Sequence, residues 1–260
     1  MRRNLPETPA WPLRAMLFDL GGTLIDYLGG APSWPAMELP GVYGLHACLA
    51  EAGFPMEADA FADLFVRAIE DRWLAAIQGI GDPPSLALLV DEACVTAGFG
   101  LSDELRQAAI ASFCAPIAER AVLADGAADV LQRLHDAGIR IGLISNSIWP
   151  GETHRLDLQR HGLLDYFDAT FFSVETGLWK PDTRVFEQAL AALGAAPQEA
   201  AFVGDQLEED IGGAKRAGLR AILIGGTPQN VDGAAPDWST PDASIRTLWE
   251  LPEALATLWR

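Results

Sequence analysis

Residues 16–25 read Met16-Leu17-Phe18-Asp19-Leu20-Gly21-Gly22-Thr23-Leu24-Ile25. A short apolar run arrives at one acid, and the chain then turns on two glycines and a threonine. Such a run reads as a buried strand that delivers its carboxylate to the strand's carboxyl end. In open α/β sheets ligands bind at that end. Gly21 and Gly22 free the backbone to fold back with its N–H groups turned toward an anion. Taken alone, the stretch could equally be a strand-end turn carrying an incidental Asp.

Downstream the pattern changes. Residues 26–41 are rich in Gly and Pro, hold Trp34, and read as a loop leading out of the core. From 42 to about 120 the apolar spacing is helical. Leu45, Leu49 and Ala52 mark a first helix, and Phe61, Leu64, Phe65, Ala68, Ile69 and Trp73 the face of a second. Two more are predicted near 86–97 and 103–119, the last with Ser102 as N-cap. Residues 139–144, 169–172, 200–203 and 219–224 then read as strands, with helices over 126–137, 185–193 and 211–217 between them. A Gly/Pro-rich loop to 243 and a terminal helix complete the chain. Strands alternating with helices imply right-handed crossovers and a mainly parallel sheet.

The strands end in polar groups at one edge: Asp19, then Ser145-Asn146, then Gly204-Asp205 with Asp210 five residues on. Between the last two lies Lys180-Pro181-Asp182. Lys180 is one of only two lysines, the other being Lys215 on a helix. These are the parts phosphoryl transfer needs. A carboxylate can attack phosphorus, hydroxyl and backbone N–H groups can hold equatorial oxygens, a lysine supplies positive charge, and paired carboxylates hold Mg²⁺.

The set of motifs resembles the haloacid dehalogenase (HAD) superfamily. Asp19-Leu20-Gly21-Gly22-Thr23-Leu24 looks like its first motif, Ser145-Asn146 its second, Lys180-Pro181-Asp182 its third, and Gly204-Asp205 with Asp210 its fourth. All four occur in the family's order. The resemblance implies a Rossmann-like α/β core over residues 1–25 and 122–260, with an inserted all-helical (C1-type) cap over 26–121. The family's fold sets the first strand between those of the second and fourth motifs.

Carried over residue by residue, the resemblance implies that Asp19 attacks phosphorus and forms an aspartyl-phosphate. Ser145 would bind the phosphoryl group and Asn146 help orient it. Gly21, Gly22 and Thr23 would form the first loop around it. Lys180 would offset the charge of Asp19 and phosphate. Asp19, the Gly21 carbonyl and Asp205 would bind Mg²⁺, with Asp210 supporting the metal waters or Lys180. One departure stands out. Family phosphatases usually carry a second Asp at the position of Gly21, as the general acid and base. Without it turnover is expected to slow, unless Asp26, a residue of the insert or a water substitutes.

The implied reaction is hydrolysis of a small phosphomonoester. Two alternatives stand beside it: a degenerate member that binds a ligand or partner with little turnover, and a dehalogenase acting on carbon. In dehalogenases the Gly21 position is usually aromatic and the metal-binding Gly-Asp pair is missing. The net charge of −18 over 260 residues argues against nucleic acid and anionic membranes as partners. Cys48, Cys94 and Cys114 fit no zinc or disulfide framework. Residues 1–13 lack the apolar segment of a leader, and no run is long enough to span a bilayer, so a cytoplasmic location is expected. Trp149 and Trp179 flank the second and third motifs and read as loop packing or pocket lining. His46, Arg67 and Arg72 read as solvated helix faces. The substrate and the oligomeric state carry no motif.

Overall fold

The computed structural model describes residues 13–225 and 240–259. The strands are β1 (Ala15–Phe18), β2 (Ile25–Asp26), β3 (Val122–Leu123), β4 (Arg140–Ser145), β5 (Ala169–Phe172), β6 (Ala200–Gly204), β7 (Arg220–Ile224) and β8 (Ala243–Ile245). The helices are α1 (Trp34–Glu51), α2 (Ala58–Ile77), α3 (Leu86–Thr96), α4 (Asp103–Ala118), α5 (Ala127–Asp136), α6 (Gly151–Arg160), α7 (Ser173–Thr176), α8 (Thr183–Leu193), α9 (Gly213–Arg216) and α10 (Leu251–Leu258).

Six strands form one parallel sheet in the order β5-β4-β1-β6-β7-β8. The strand that ends at Asp19 therefore lies between those that end at Ser145 and Gly204, as the resemblance implies. All four β1 residues are buried, because the sheet is covered on both faces. One face packs residues such as Met16, Phe18, Ile141 and Val203. The other packs Leu17, Phe186, Phe202 and Ile211. β2 and β3 pair antiparallel, Ile25 opposite Leu123. The four helices between them thus leave and return to the core through one two-stranded stem.

Two expectations need correction. The first concerns 26–41, read as a loop on its Gly and Pro. Helix α1 already begins at Trp34. Ser33 caps it by accepting from Ala36 N at 3.4 Å, and Pro35 sits in the first turn, where its missing N–H costs nothing. Gly41 lies inside the helix because α4 passes against it. A Cβ there would stand 2.5 Å from Phe113 O, and one on Gly44 2.5 Å from Ser112 O. The glycines that look like breakers are the contact surface of the α1–α4 pair. The second correction is β8, a strand that begins where the loop read to Ala243 ends and precedes the terminal helix. Residues 226–239 of that loop lie outside the described residues, as do residues 1–12 of the N-terminal segment. Ser102 caps α4 as expected, accepting from Leu105 N at 3.2 Å. No helix among the described residues is long and apolar enough to cross a membrane.

Candidate active site

Asp19 continues β1, its N–H donating to Val203 O at 2.9 Å. Leu20 O then accepts from the N–H groups of Thr23, Leu24 and Ile25, which closes the loop on itself. Gly22 takes φ +82°, and a Cβ on it would stand 2.7 Å from Asp205 Oδ2. Glycine is required there twice over, by conformation and by the approach of the neighbouring strand end. Thr23 is fully buried, and its hydroxyl has no hydrogen-bond partner.

Lys180 joins the motifs. Its Nζ donates to Asp19 Oδ1 and to Asp210 Oδ1, each at 2.6 Å, and the side chain is buried. Asp210 is placed by a single π turn, residues Leu207–Gly212. Its Oδ2 accepts from Gln206 N at 3.0 Å, tying down the loop that carries Asp205. A Cβ on Gly204 would lie 2.3 Å from Asp210 Oδ2, so only glycine lets this carboxylate fold back over the strand end.

Asn146 does something the sequence did not suggest. Its Nδ2 donates to Lys180 O at 2.9 Å and its Oδ1 accepts from Lys180 N at 2.8 Å. It clamps the lysine's backbone through both amide ends. Ser145 is buried, and the one hydrogen bond its hydroxyl makes among the described residues, to Asn146 O at 3.5 Å, is long. The hydroxyl therefore remains available to the cleft it lines.

The site carries more negative charge than its lysine offsets. Asp19, Asp205 and Asp210 each offer a carboxylate oxygen within 4.8 Å of the others. Burial pushes the Asp19 carboxyl up to about 8; Lys180 opposes the rise, and Asp210 and Asp205 add to it. Burial, with Asp210, pushes Asp205 up to about 6. Burial acts to lower the Lys180 pKa, but Asp19 and Asp210 outweigh it and hold the ammonium charged. Three oxygen donors against one cation fit a hard divalent ion such as Mg²⁺.

A sequence-family model described as haloacid dehalogenase-like hydrolase matches residues 13–218. The chain belongs to the haloacid dehalogenase-like hydrolase family. It is 38% identical over 107 residues to the phosphoserine phosphatase of Thermus thermophilus, a stretch covering 40% of this chain and 42% of that protein. The chain thus spans less than half of that curated relative. Among solved structures, a HAD phosphatase from Thermococcus onnurineus is 26% identical, with TM-score 0.63 over 94% of this chain and 98% of that one. A 2-haloacid dehalogenase from Pseudomonas syringae pv. Tomato is 27% identical, with TM-score 0.64 over 94% and 99%. HAD folds of both chemistries are therefore close in shape, and the site's residues must distinguish them.

In this HAD chain a cleft of about 340 Å³ opens above Asp19. Its walls are largely apolar, with Trp34, Ile69, Trp73, Ile148 and Trp149 among them, and Tyr27, Glu38, Glu70 and Glu209 supply polar groups. Trp149 lines the cleft. Trp179 packs edge-on against Trp73 of α2, centroids 4.7 Å apart. His46 is no solvated residue. Its Nε2 meets Met56 O at 2.8 Å, and the ring packs against Phe54 and Phe61. Arg72 pairs with Glu92 and Arg67 is exposed, and neither lines the cleft.

Sequence reasoning missed a buried polar network below the second motif. Tyr27 Oη donates to Asp157 Oδ2 at 3.2 Å and meets His154 Nδ1 at 3.2 Å. His154 Nε2 meets Ser147 Oγ at 2.6 Å. Burial pushes the imidazole down to about 3, so it stays neutral. The network anchors the loop after Ser145-Asn146. No spacing rule joins Tyr27 to residues so distant in the chain.

Gly21 is not a gap. A Cβ there would stand 3.1 Å from Trp34 Cη2 and 3.5 Å from Tyr27 Cδ2. Gly21→Asp, which writes the usual acid back, is therefore expected to overpack this junction. It should destabilise the protein by about 1–3 kcal/mol and lower activity. Trp34→Ala in the same chain should recover the stability. Thermal melts of the single and double variants check this; a stable, faster Gly21→Asp enzyme would show that Trp34 yields without cost.

Proposed function

We propose that the chain is a Mg²⁺-dependent phosphatase of small phosphomonoesters that works through an aspartyl-phosphate on Asp19. The observation that carries the reading is the Asp19–Lys180–Asp210 chain of 2.6 Å bonds beside Asp205. A carbon-directed nucleophile needs no metal, and a carboxylate cluster this acidic is costly to bury unless a cation joins it.

Asp19 is the nucleophile, ionised once the cation that joins the cluster opposes the burial that raises its carboxyl, and Lys180 neutralises it and the incoming phosphoryl oxygens. Ser145 and the Gly21 N–H are the donors for those oxygens, since the Gly22 and Thr23 N–H groups, expected to share the task, are spent on Ile25 O and Leu20 O; Asn146 holds Lys180 in place. Asp19, the Gly21 carbonyl and Asp205 would hold Mg²⁺, with Asp210 behind them. When bound, the ion supplies positive charge to the phosphoryl group and to the crowded carboxylates. Residues 26–121 act as a cap that closes the cleft and excludes water, and the small phosphorylated metabolite lies against their apolar walls.

A second reading, displacement at carbon, has one observation in its favour: Trp34 and Tyr27 set aromatic rings against Gly21. Asp205 beside Asp19 weighs against it. Phosphate release from a panel of alkyl, sugar and acyl phosphates, with Mg²⁺ and with EDTA, tests the phosphatase. Metal-dependent release from any member supports it. Halide release from a 2-haloacid in EDTA, with no phosphate release, overturns it.

A further inference from the structure

The general acid and base that the first motif lacks must come from elsewhere in the cleft if alkyl esters are to be cleaved. The feature that fills the space over Gly21 also indicates where. Trp34 opens α1, and residues four apart on a helix share a face. The side chain one turn beyond Trp34 is Glu38. It is 6% exposed and lines the same cleft as Asp19, Gly21 and Lys180. It makes no ion pair among the described residues.

The other candidates are committed or misplaced. Asp26 is exposed, accepts from Leu28 N at 2.8 Å, and does not line the cleft. His154 has both ring nitrogens engaged, and the Tyr27 hydroxyl is turned to Asp157. Glu209 adjoins Asp210 and interacts with it and with Lys180, so it belongs to the charged cluster rather than to the apolar wall over Gly21.

We propose that Glu38 of α1 is the proton donor and acceptor of the reaction, reaching the cleft from the helical insert in place of the acid absent at Gly21. The proposal rests on the phosphatase reading. In the first half, an Asp19 oxygen forms a bond to phosphorus and the bond to the leaving oxygen breaks. The Glu38 proton passes to that oxygen, which departs as an alcohol, and Glu38 is left a carboxylate. In the second half, water bonds to phosphorus and gives its proton back to Glu38. The Asp19–phosphorus bond breaks, and phosphate leaves.

The environment suits the task. Burial pushes the Glu38 carboxyl up to about 8, with Trp149 acting against the rise and Glu70 of α2 adding to it. A carboxyl in apolar surroundings that stays protonated at neutral pH is the condition for general-acid work. From α4 the Cys114 thiol faces it, itself pushed up by burial to about 12. Arg120 spends its guanidinium on the Met37 and Pro116 carbonyls.

The test compares wild type, Glu38→Gln and Glu38→Asp on an alkyl phosphate and on 4-nitrophenyl phosphate, whose leaving group needs no proton. Asp19-dependent release by wild type is measured first. Its absence overturns the phosphatase reading and the proposal with it; its presence makes the comparison of variants a test of Glu38 alone. Glu38→Gln should lower kcat/KM on the alkyl ester by about 10²–10⁴-fold and on the nitrophenyl ester by less than about tenfold. Its kcat should fall on both esters, because water activation is common to both. The fall of wild-type activity as pH rises through about 8 should vanish in Glu38→Gln and persist in Glu38→Asp. In Glu70→Gln it should move to lower pH. Equal losses of kcat/KM on the two esters, or a retained alkaline limb in Glu38→Gln, would overturn the proposal.

Discussion

Replacing Asp19 by Asn is expected to reduce phosphate release by about 10⁴-fold or more while leaving the protein folded. Asn keeps the size of Asp and can still accept from Lys180 Nζ, now 2.6 Å from Asp19 Oδ1. The amide removes one of three crowded carboxylates, and with it a charge that burial disfavours. Stability should therefore hold or rise in the absence of metal. The sign follows from the raised pKa. Asp19 moves from 3.8 to about 8 on folding, so the stability it contributes is present in full below its unfolded value and is lost as pH rises through about 8. Urea melts of the metal-free protein between about pH 5 and 8 should show wild type weakening more than Asp19→Asn. Steady-state release on the best ester of the panel checks the activity. A variant that releases phosphate within tenfold of wild type would remove Asp19 from the chemistry.

Lys180→Met is expected to have the largest effect on the fold. Lys180 is 2% exposed and is the partner of both Asp19 and Asp210. Removing one member of a buried charge cluster costs about 3–5 kcal/mol, because the charges left behind have no compensation. The cost should depend on pH. Without the ammonium both carboxylates are easier to protonate, so the variant should approach wild type at low pH and fall away as pH rises. Mg²⁺ should recover part of the loss at neutral pH, since the cation replaces some of the missing charge. Chemical denaturation at two pH values, with and without Mg²⁺, measures this. A loss of the same size at every pH would mean that Lys180 matters by packing alone, over Phe202, whose ring centre lies 5.3 Å from its Nζ.

What could be read from the chain alone was what periodicity and strand ends encode. Asp19, Ser145 and Asp205 each close an apolar run, and the order of the strands brings those ends together. Lys180 and Asp210 followed from the same motifs. The contacts that give these residues their working geometry were not legible. The Asn146 clamp on Lys180 joins positions 34 apart through the rotamer of one amide. The Tyr27–His154–Asp157 network is closed only by folding.

The helical insert hid more. Pro35, Pro40 and Gly41 look like helix breakers, yet Pro35 sits in the first turn, where it is welcome, and Gly41 faces the Phe113 carbonyl. Reading 26–41 as a loop concealed the i, i+4 relation of Trp34 and Glu38, on which the proposed replacement for the missing acid rests. β8 escaped because three residues are too few for an alternating pattern to show.

The most direct measurement is a covalent trap. Protein, Mg²⁺ and a turned-over phosphomonoester are mixed, quenched in acid within the first turnover and digested, and the peptide holding Asp19 is weighed. The phosphatase mechanism predicts one phosphoryl group on that peptide in the wild type and none in Asp19→Asn. Continued phosphate release with no phosphoryl group on Asp19 at any time within the turnover would contradict it.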